Sequence, residues 1–150
     1  MKKISLTLRF GLVTSAVLIA YFLILALFNL NTNPVFSFFN AVITAFGIYE
    51  VVRLRKLNEP NSFSYGEGFK IGITTGAIAT IIFTVFFLFY STEINHDFLP
   101  LLLDSMNGSF DINEGLIAFI VAIMGFATTI VSTLVVMQLF KNSGNVNQNK

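Results

Sequence analysis

Long uncharged apolar stretches alternate along the chain with short polar breaks, and the breaks divide it into four segments. From Phe10 to Tyr49 no residue carries a charge, and only Asn31-Thr32-Asn33-Pro34 interrupts the run. Asn33 can accept from the first N–H groups of a following helix, and Pro34 suits the first helical position, where a missing N–H costs nothing. The tetrad therefore predicts a tight helical hairpin, with span one over 10–30 and span two over 34–52. A second uncharged run, Ile71 to Tyr90, predicts span three over 68–90. Ser64 and Glu67 stand before it at capping-box spacing, so its helix starts ahead of the apolar run. Span four is expected over 115–140, with Asp111-Ile112-Asn113-Glu114 at equivalent spacing before it and Lys141 after it. Each segment approaches the roughly 20 residues that cross a hydrocarbon core of about 30 Å. The predicted fold is all-α, a four-helix transmembrane bundle of two helical hairpins forming one membrane domain over 1–150.

The loop before span four has a pattern of its own. Phe98, Leu99, Leu102, Leu103 and Met106 fall on one side of a short helix, with Asp97 as its cap and Asn107-Gly108 as its stop. It lacks the basic face of a surface-binding helix and is expected to lie as a lid over the bundle end. The polar tail 142–150 is expected to be disordered.

Composition sharpens this picture. About 55% of the residues are hydrophobic and 11% charged, where a soluble domain carries roughly 25% charged residues. The first apolar run exceeds the usual 7 to 15 residues of a signal peptide and no A-x-A-like site follows it, so it is expected to remain as an anchor. The charges are segregated. Lys2, Lys3 and Arg9 precede span one, Arg53, Arg55, Lys56 and Lys70 separate spans two and three, and Lys141 and Lys150 follow span four. The opposite loop, Ser91 to Glu114, carries Glu93, Asp97, Asp104, Asp111 and Glu114 with no lysine or arginine. Cytoplasmic segments collect positive residues, so both termini are expected in the cytoplasm. There is no basic surface of the kind nucleic acid requires. The absence of cysteine excludes thiolate chemistry.

Small side chains are the most regular feature of the spans. Gly68, Gly72, Gly76, Thr80 and Thr84 recur every four residues along span three, the small-xxx-small signature of close helix packing. Four residues overshoot one turn by about 40°, so a single partner is expected to use two or three of them, centred on Gly72 and Gly76. Span four carries Ala118, Ala122, Gly125, Thr129 and Ser132, spaced by four and three, a straight stripe suited to a left-handed seam. Packing within the bundle or between copies of the chain would use these residues.

Two polar residues mark a candidate membrane site. Glu50 stands three residues before Arg53 at the end of span two, where an interfacial ion pair competes with a proton-coupling role. Asn40 lies about two turns inside span two and is expected to bond a neighbouring helix or contact a polar substrate. His96, the only histidine, sits between Glu93 and Asp97, a poor set for a catalytic metal, which usually draws on more than one histidine. No histidine lies in the spans to act as base for a serine hydrolase. No catalytic, cofactor-binding or metal-binding residue is assigned.

The tight first hairpin, Phe69-Lys70 and Gly72 opening span three, Ile94-Asn95 with Phe98 just after, and an acidic segment leading into a glycine-containing fourth span form one order. In that order the chain resembles a family of short bacterial four-span membrane proteins known only as a domain of unknown function. His96 stands where that pattern has proline. The resemblance implies four helices and the bacterial inner membrane, and adds no site residue. The expected function is that of a non-enzymatic accessory or scaffold protein, surrounded by lipid and packing with itself or a larger membrane protein. The alternative is a small transporter or channel subunit acting as an oligomer, with Asn40, Glu50 or membrane threonines lining its path. Small multidrug exporters are similar in size, but the carboxylate they carry in the first span is absent here.

Overall fold

A computed structural model describes residues 5–106 and 113–141. They form four long helices, α1 (Leu6–Leu27), α2 (Pro34–Asn58), α3 (Tyr65–Phe89) and α5 (Glu114–Leu139), and one short helix, α4 (Phe98–Ser105). No strand occurs among the described residues. The four long helices are long and apolar enough to cross a membrane. The Asn107-Gly108 stop and the tail 142–150 lie outside the described residues.

The helix ends follow local chemistry, not always at the expected residue. Ser5 caps α1 one turn earlier than the apolar run begins, with Leu8 N–H donating to its Oγ (3.3 Å). The other end of α1 stops short of the Asn-Thr-Asn-Pro tetrad. Asn29 takes a left-handed conformation (φ 54°), Leu30 N–H reaches back to Leu25 O (2.9 Å) and Asn29 N–H to Ala26 O (3.1 Å). This is a Schellman closure, with asparagine in the place usually held by glycine. Asn33 Oδ1 accepts from Val35 N–H (3.0 Å) to start α2. That helix continues to Asn58, six residues past the expected end, carrying Arg53, Arg55 and Lys56 on its last turns. Ser64 Oγ accepts from Glu67 N–H (3.2 Å) at the start of α3. Asn113 caps α5 through Leu116 N–H (2.8 Å), while Asp111 lies outside the described residues.

Around the bundle the helices run in the order α1, α2, α5, α3, with α2 and α3 also packed across the short diagonal. Helix α3 thus touches all three others. Beyond Phe89 it loosens into a π-helical turn, Tyr90–Ile94, where Asn95 N–H donates to Tyr90 O (2.9 Å). That turn delivers the chain to α4, which lies over the end of the bundle as expected. Phe98 and Leu99 are buried, Leu102 and Leu103 partly so, and Ser105 Oγ lies 3.0 Å from Thr32 O in the α1–α2 turn and 2.6 Å from Leu102 O of its own helix, the two carbonyls sharing one proton. One expectation about the lid holds in position only and one is corrected. Asp97 occupies the N-cap position but makes no side-chain cap bond. Met106 lies past the helix end with 62% of its surface exposed, because the chain has left the helical period that would have turned it inward.

Two apolar clusters close the ends of the bundle. At the lid end Phe22, Phe87, Tyr90, Phe98, Leu99 and Ile117 pack together. At the opposite, basic end Ile48, Val51, Val52, Val136 and Met137 do so. Between them lies a belt of buried hydroxyls and glycines: Thr14 and Ser15 on α1, Thr44 and Gly47 on α2, Thr75, Gly76 and Thr80 on α3, Thr129, Ser132 and Thr133 on α5.

Candidate functional site

The belt is built by two four-residue ridges facing each other in antiparallel register. A Cβ on Gly68 would meet Met137 (2.8 Å), one on Gly72 would meet Thr133 Cγ2 (2.7 Å), one on Gly76 would overlap Thr129, and one on Gly125 would overlap Thr80. Helix α3 therefore offers Gly, Gly, Gly, Thr where α5 offers Met, Thr, Thr, Gly, each small residue receiving a larger one. The ridge on α3 was expected to hold one partner over only two or three positions. It holds α5 over four, because the ridge on α5 drifts round its own helix at the same rate. Of the stripe expected on α5, Gly125 and Thr129 meet α3, where Thr133 and Met137 extend the contact, and Ser132 is buried beside them. Ala118 is buried nearer the lid, and Ala122 is half-buried. Thr133 and Met137 continue the four-residue spacing of Gly125 and Thr129, from which Ser132 departs by one position.

The belt has further members on α1 and α2. A Cβ on Gly47 would overlap Thr14, and one on Gly11 would lie 2.6 Å from Ile78 Cγ2 and 3.3 Å from Thr75 O. Gly11, Thr14, Ser15, Leu18 and Phe22 form the buried stripe of α1, a mixture of small and large residues on a helix that is apolar all round.

Hydrogen bonding in the belt is local. Thr133 Oγ1 donates to Thr129 O (2.7 Å), Thr44 Oγ1 to Asn40 O (2.8 Å) and Ser15 Oγ to Leu12 O (2.8 Å). Such back-bonding satisfies a hydroxyl within its own helix. Between helices, the Thr80 and Thr129 hydroxyls approach to 3.5 Å, long for an O–H···O bond. Tyr21 OH donates to Phe36 O (2.9 Å), tying α1 to α2. Three buried atoms, Asn40 Oδ1, Thr75 Oγ1 and Thr84 Oγ1, have no partner among the described residues. The hydrogen bond expected from Asn40 to a neighbouring helix is thus missing. Position 40 is one helical repeat closer to the turn than Thr44, whose hydroxyl claims the Asn40 backbone carbonyl instead of its amide.

At the basic end, Glu50 and Arg53 meet as spacing predicted, with Arg53 Nη1 at 3.3 Å from Glu50 Oε2. The side chains are 25% and 50% exposed, so water screens the pair. Arg55 is the stronger organiser. Its Nη2 lies 2.6 Å from Glu67 Oε1 and its Nη1 2.6 Å from Glu59 Oε1. One guanidinium therefore bolts the last turn of α2 to the first turn of α3 across the connecting loop. It also draws the Glu67 carboxylate away from the reciprocal half of the capping box, leaving only the Ser64 half. The Arg55–Glu59 spacing of four was a legible cue. Glu67 was not, since twelve residues and a turn separate it from Arg55.

His96, Glu93 and Asp97 are exposed. Among the described residues no group of three histidine, cysteine or acidic residues is placed to hold a metal ion. The functional features are thus a neutral hydroxyl belt, an unpaired asparagine and a charged shelf at one end of a membrane bundle. No curated protein and no solved structure matches the chain. Residues 9–142 match the model of the family described as "Protein of unknown function (DUF4199)", and with so much of its length covered this four-helix membrane protein belongs to that family.

Proposed function

We propose that the protein is a non-enzymatic accessory or scaffold component of the bacterial inner membrane, with both termini in the cytoplasm, acting by packing with a larger membrane protein or with itself. The observation that carries this reading is the chemistry of the interior. The buried polar residues among those described are threonines and serines, which carry no charge to cycle, and four of the nine, Ser15, Thr44, Ser91 and Thr133, bond their own helix. The membrane carboxylate, Glu50, is engaged at the basic end with Arg53.

A second reading, a transporter or channel subunit, is favoured by one specific observation. Asn40 Oδ1, Thr75 Oγ1 and Thr84 Oγ1 are unpaired on α2 and α3, where a polar solute could bond them in passing. Mild extraction followed by mass spectrometry of co-purifying proteins separates the two, with a stoichiometric membrane partner or self-association expected. Proton-coupled flux in sealed vesicles that vanishes in Glu50→Gln would reject the accessory reading. Topology has its own test: reporters fused after Lys150 and inserted at Asn107 should report opposite compartments, the first cytoplasmic.

A further inference from the structure

Between the last turn of α2, the loop that follows it, the start of α3 and the end of α5 lies a cleft of about 420 Å³, lined by Lys56, Pro60, Phe63, Ser64, Tyr65, Phe140 and Lys141. Its two cations are not engaged by acids. The ion pairs of this end are made by Arg53 and Arg55, and neither Lys56 nor Lys141 has a carboxylate partner among the described residues. Lys56 Nζ is held instead over two aromatic faces, 5.9 Å from the centre of the Phe63 ring and 5.5 Å from that of Phe140. Those rings position the ammonium without neutralising it, and the N–H not turned toward a ring can donate to an anion.

The neighbouring cleft carries an acid of its own. It is of similar size, about 380 Å³, and is lined by Arg55 and Lys70, but also by Glu67. There Arg55 is already spent on Glu59 and Glu67, which leaves Lys70 as one unengaged cation where the first cleft has two.

We infer that the Lys56–Lys141 cleft binds the phosphate of an anionic phospholipid headgroup. The position of the cleft decides for a lipid over a soluble phosphate. Phe140 is the residue at which the membrane-crossing α5 ends, and Lys56 sits in the last turn of α2, four residues beyond the fully buried Val52. The cleft is therefore at the level where the apolar spans give out, which is the headgroup level of a bilayer. Its Phe63, Phe140 and Pro60 walls suit the glycerol and upper acyl carbons that accompany a lipid phosphate and offer nothing to a free ion. The inference needs only the membrane placement of the helices and stands whether the protein is an accessory or a transporter.

The test is native mass spectrometry of the full chain in neutral detergent, titrated with phosphatidylglycerol or with phosphatidylcholine. Each lysine near the surface favours an anionic lipid, so the two together should make phosphatidylglycerol bind about ten- to thirtyfold more tightly than phosphatidylcholine. Lys56→Gln/Lys141→Gln should lose that preference. Lys70→Gln, which removes one charge from the neighbouring cleft, should keep it, and Lys56→Arg should retain it even where the double variant fails to fold. Inorganic phosphate at millimolar concentration should not displace the lipid. Equal binding of the two lipids, a preference that survives in the double variant, its loss in Lys70→Gln or Lys56→Arg, or displacement by inorganic phosphate would each overturn the inference.

Discussion

The lid end and the middle of this bundle join the same helices by opposite means. At the lid end the contacts are between large rings. Phe22 sits among five others, with centroids 5.0 Å from Tyr90, 5.6 Å from Phe98, 5.8 Å from Phe86, 6.1 Å from Phe83 and 6.2 Å from Phe87, all steeply inclined. Edge-to-face geometry of this kind is favoured by the ring quadrupole and fills space between helices that stand apart. In the middle there is no such space. Glycine faces threonine, and a single added carbon on Gly72 or Gly76 would collide with α5. Lipid is as apolar as any side chain, so hydrophobicity alone does not drive helices together inside a membrane. The middle accordingly relies on close approach, while the lid end, which carries α4 over the spans, can also gain from hiding rings from water.

This contrast predicts opposite responses to substitution. Removing bulk should hurt most at the lid: Phe98→Ala vacates a site that is 1% exposed and contacts Phe22, Phe87 and Tyr90, and should cost about 3 to 5 kcal/mol in reversible unfolding. Proteolysis within α4 should accelerate in the same variant. A loss below 1 kcal/mol would mean that the lid is not held by its rings.

Adding bulk should hurt most in the middle. Gly76→Leu should cost about 1 to 3 kcal/mol, and Thr129→Gly, which removes the side chain it strikes, should recover part of that loss in the double variant. If Gly72→Leu and Gly76→Leu both match wild type in thermal stability and oligomeric size, the close α3–α5 approach is wrong. Phe119→Leu, at a site 61% exposed to the surroundings of α5, serves as the control and should be near neutral.

Two smaller effects sharpen the comparison. Thr80→Val preserves the shape that fits Gly125 and deletes the hydroxyl 3.5 Å from that of Thr129, so its cost should stay below about 0.6 kcal/mol, the mean for a membrane side-chain hydrogen bond. A much larger loss would show that the belt depends on hydrogen bonding as well as shape. Glu50→Gln should be the mildest, about 0.3 kcal/mol, as for exposed pairs on one helix. A large stability loss there would make the Glu50–Arg53 pair structural in a way its exposure does not suggest.

The sequence by itself determined the four spans, the sharp first turn, the apolar face of the short helix and the segregation of charge. Each of these is a local property, written in runs of residues, capping spacings or loop composition. Asn33, Pro34 and Ser64 act where the pattern placed them, and Gly72 and Gly76 stand on the ridge their spacing implied. Only the tertiary structure decided which face of each helix is buried. On α1, Leu18 is 5% exposed and Val17 46%, yet a membrane accepts either on either side. A soluble helix would have marked the difference with a polar face, and a helix apolar all round carries no such mark. The same uniformity hid Phe22 as the hub of the rings and Met137 as the end of the α5 ridge. It cannot account for Arg55 and Glu67, which are strongly polar but join across a loop whose path no local pattern specifies. Lys56 and Lys141 are 85 positions apart in the chain. They share a cleft because α2 and α5 end at the same level, a fact of packing.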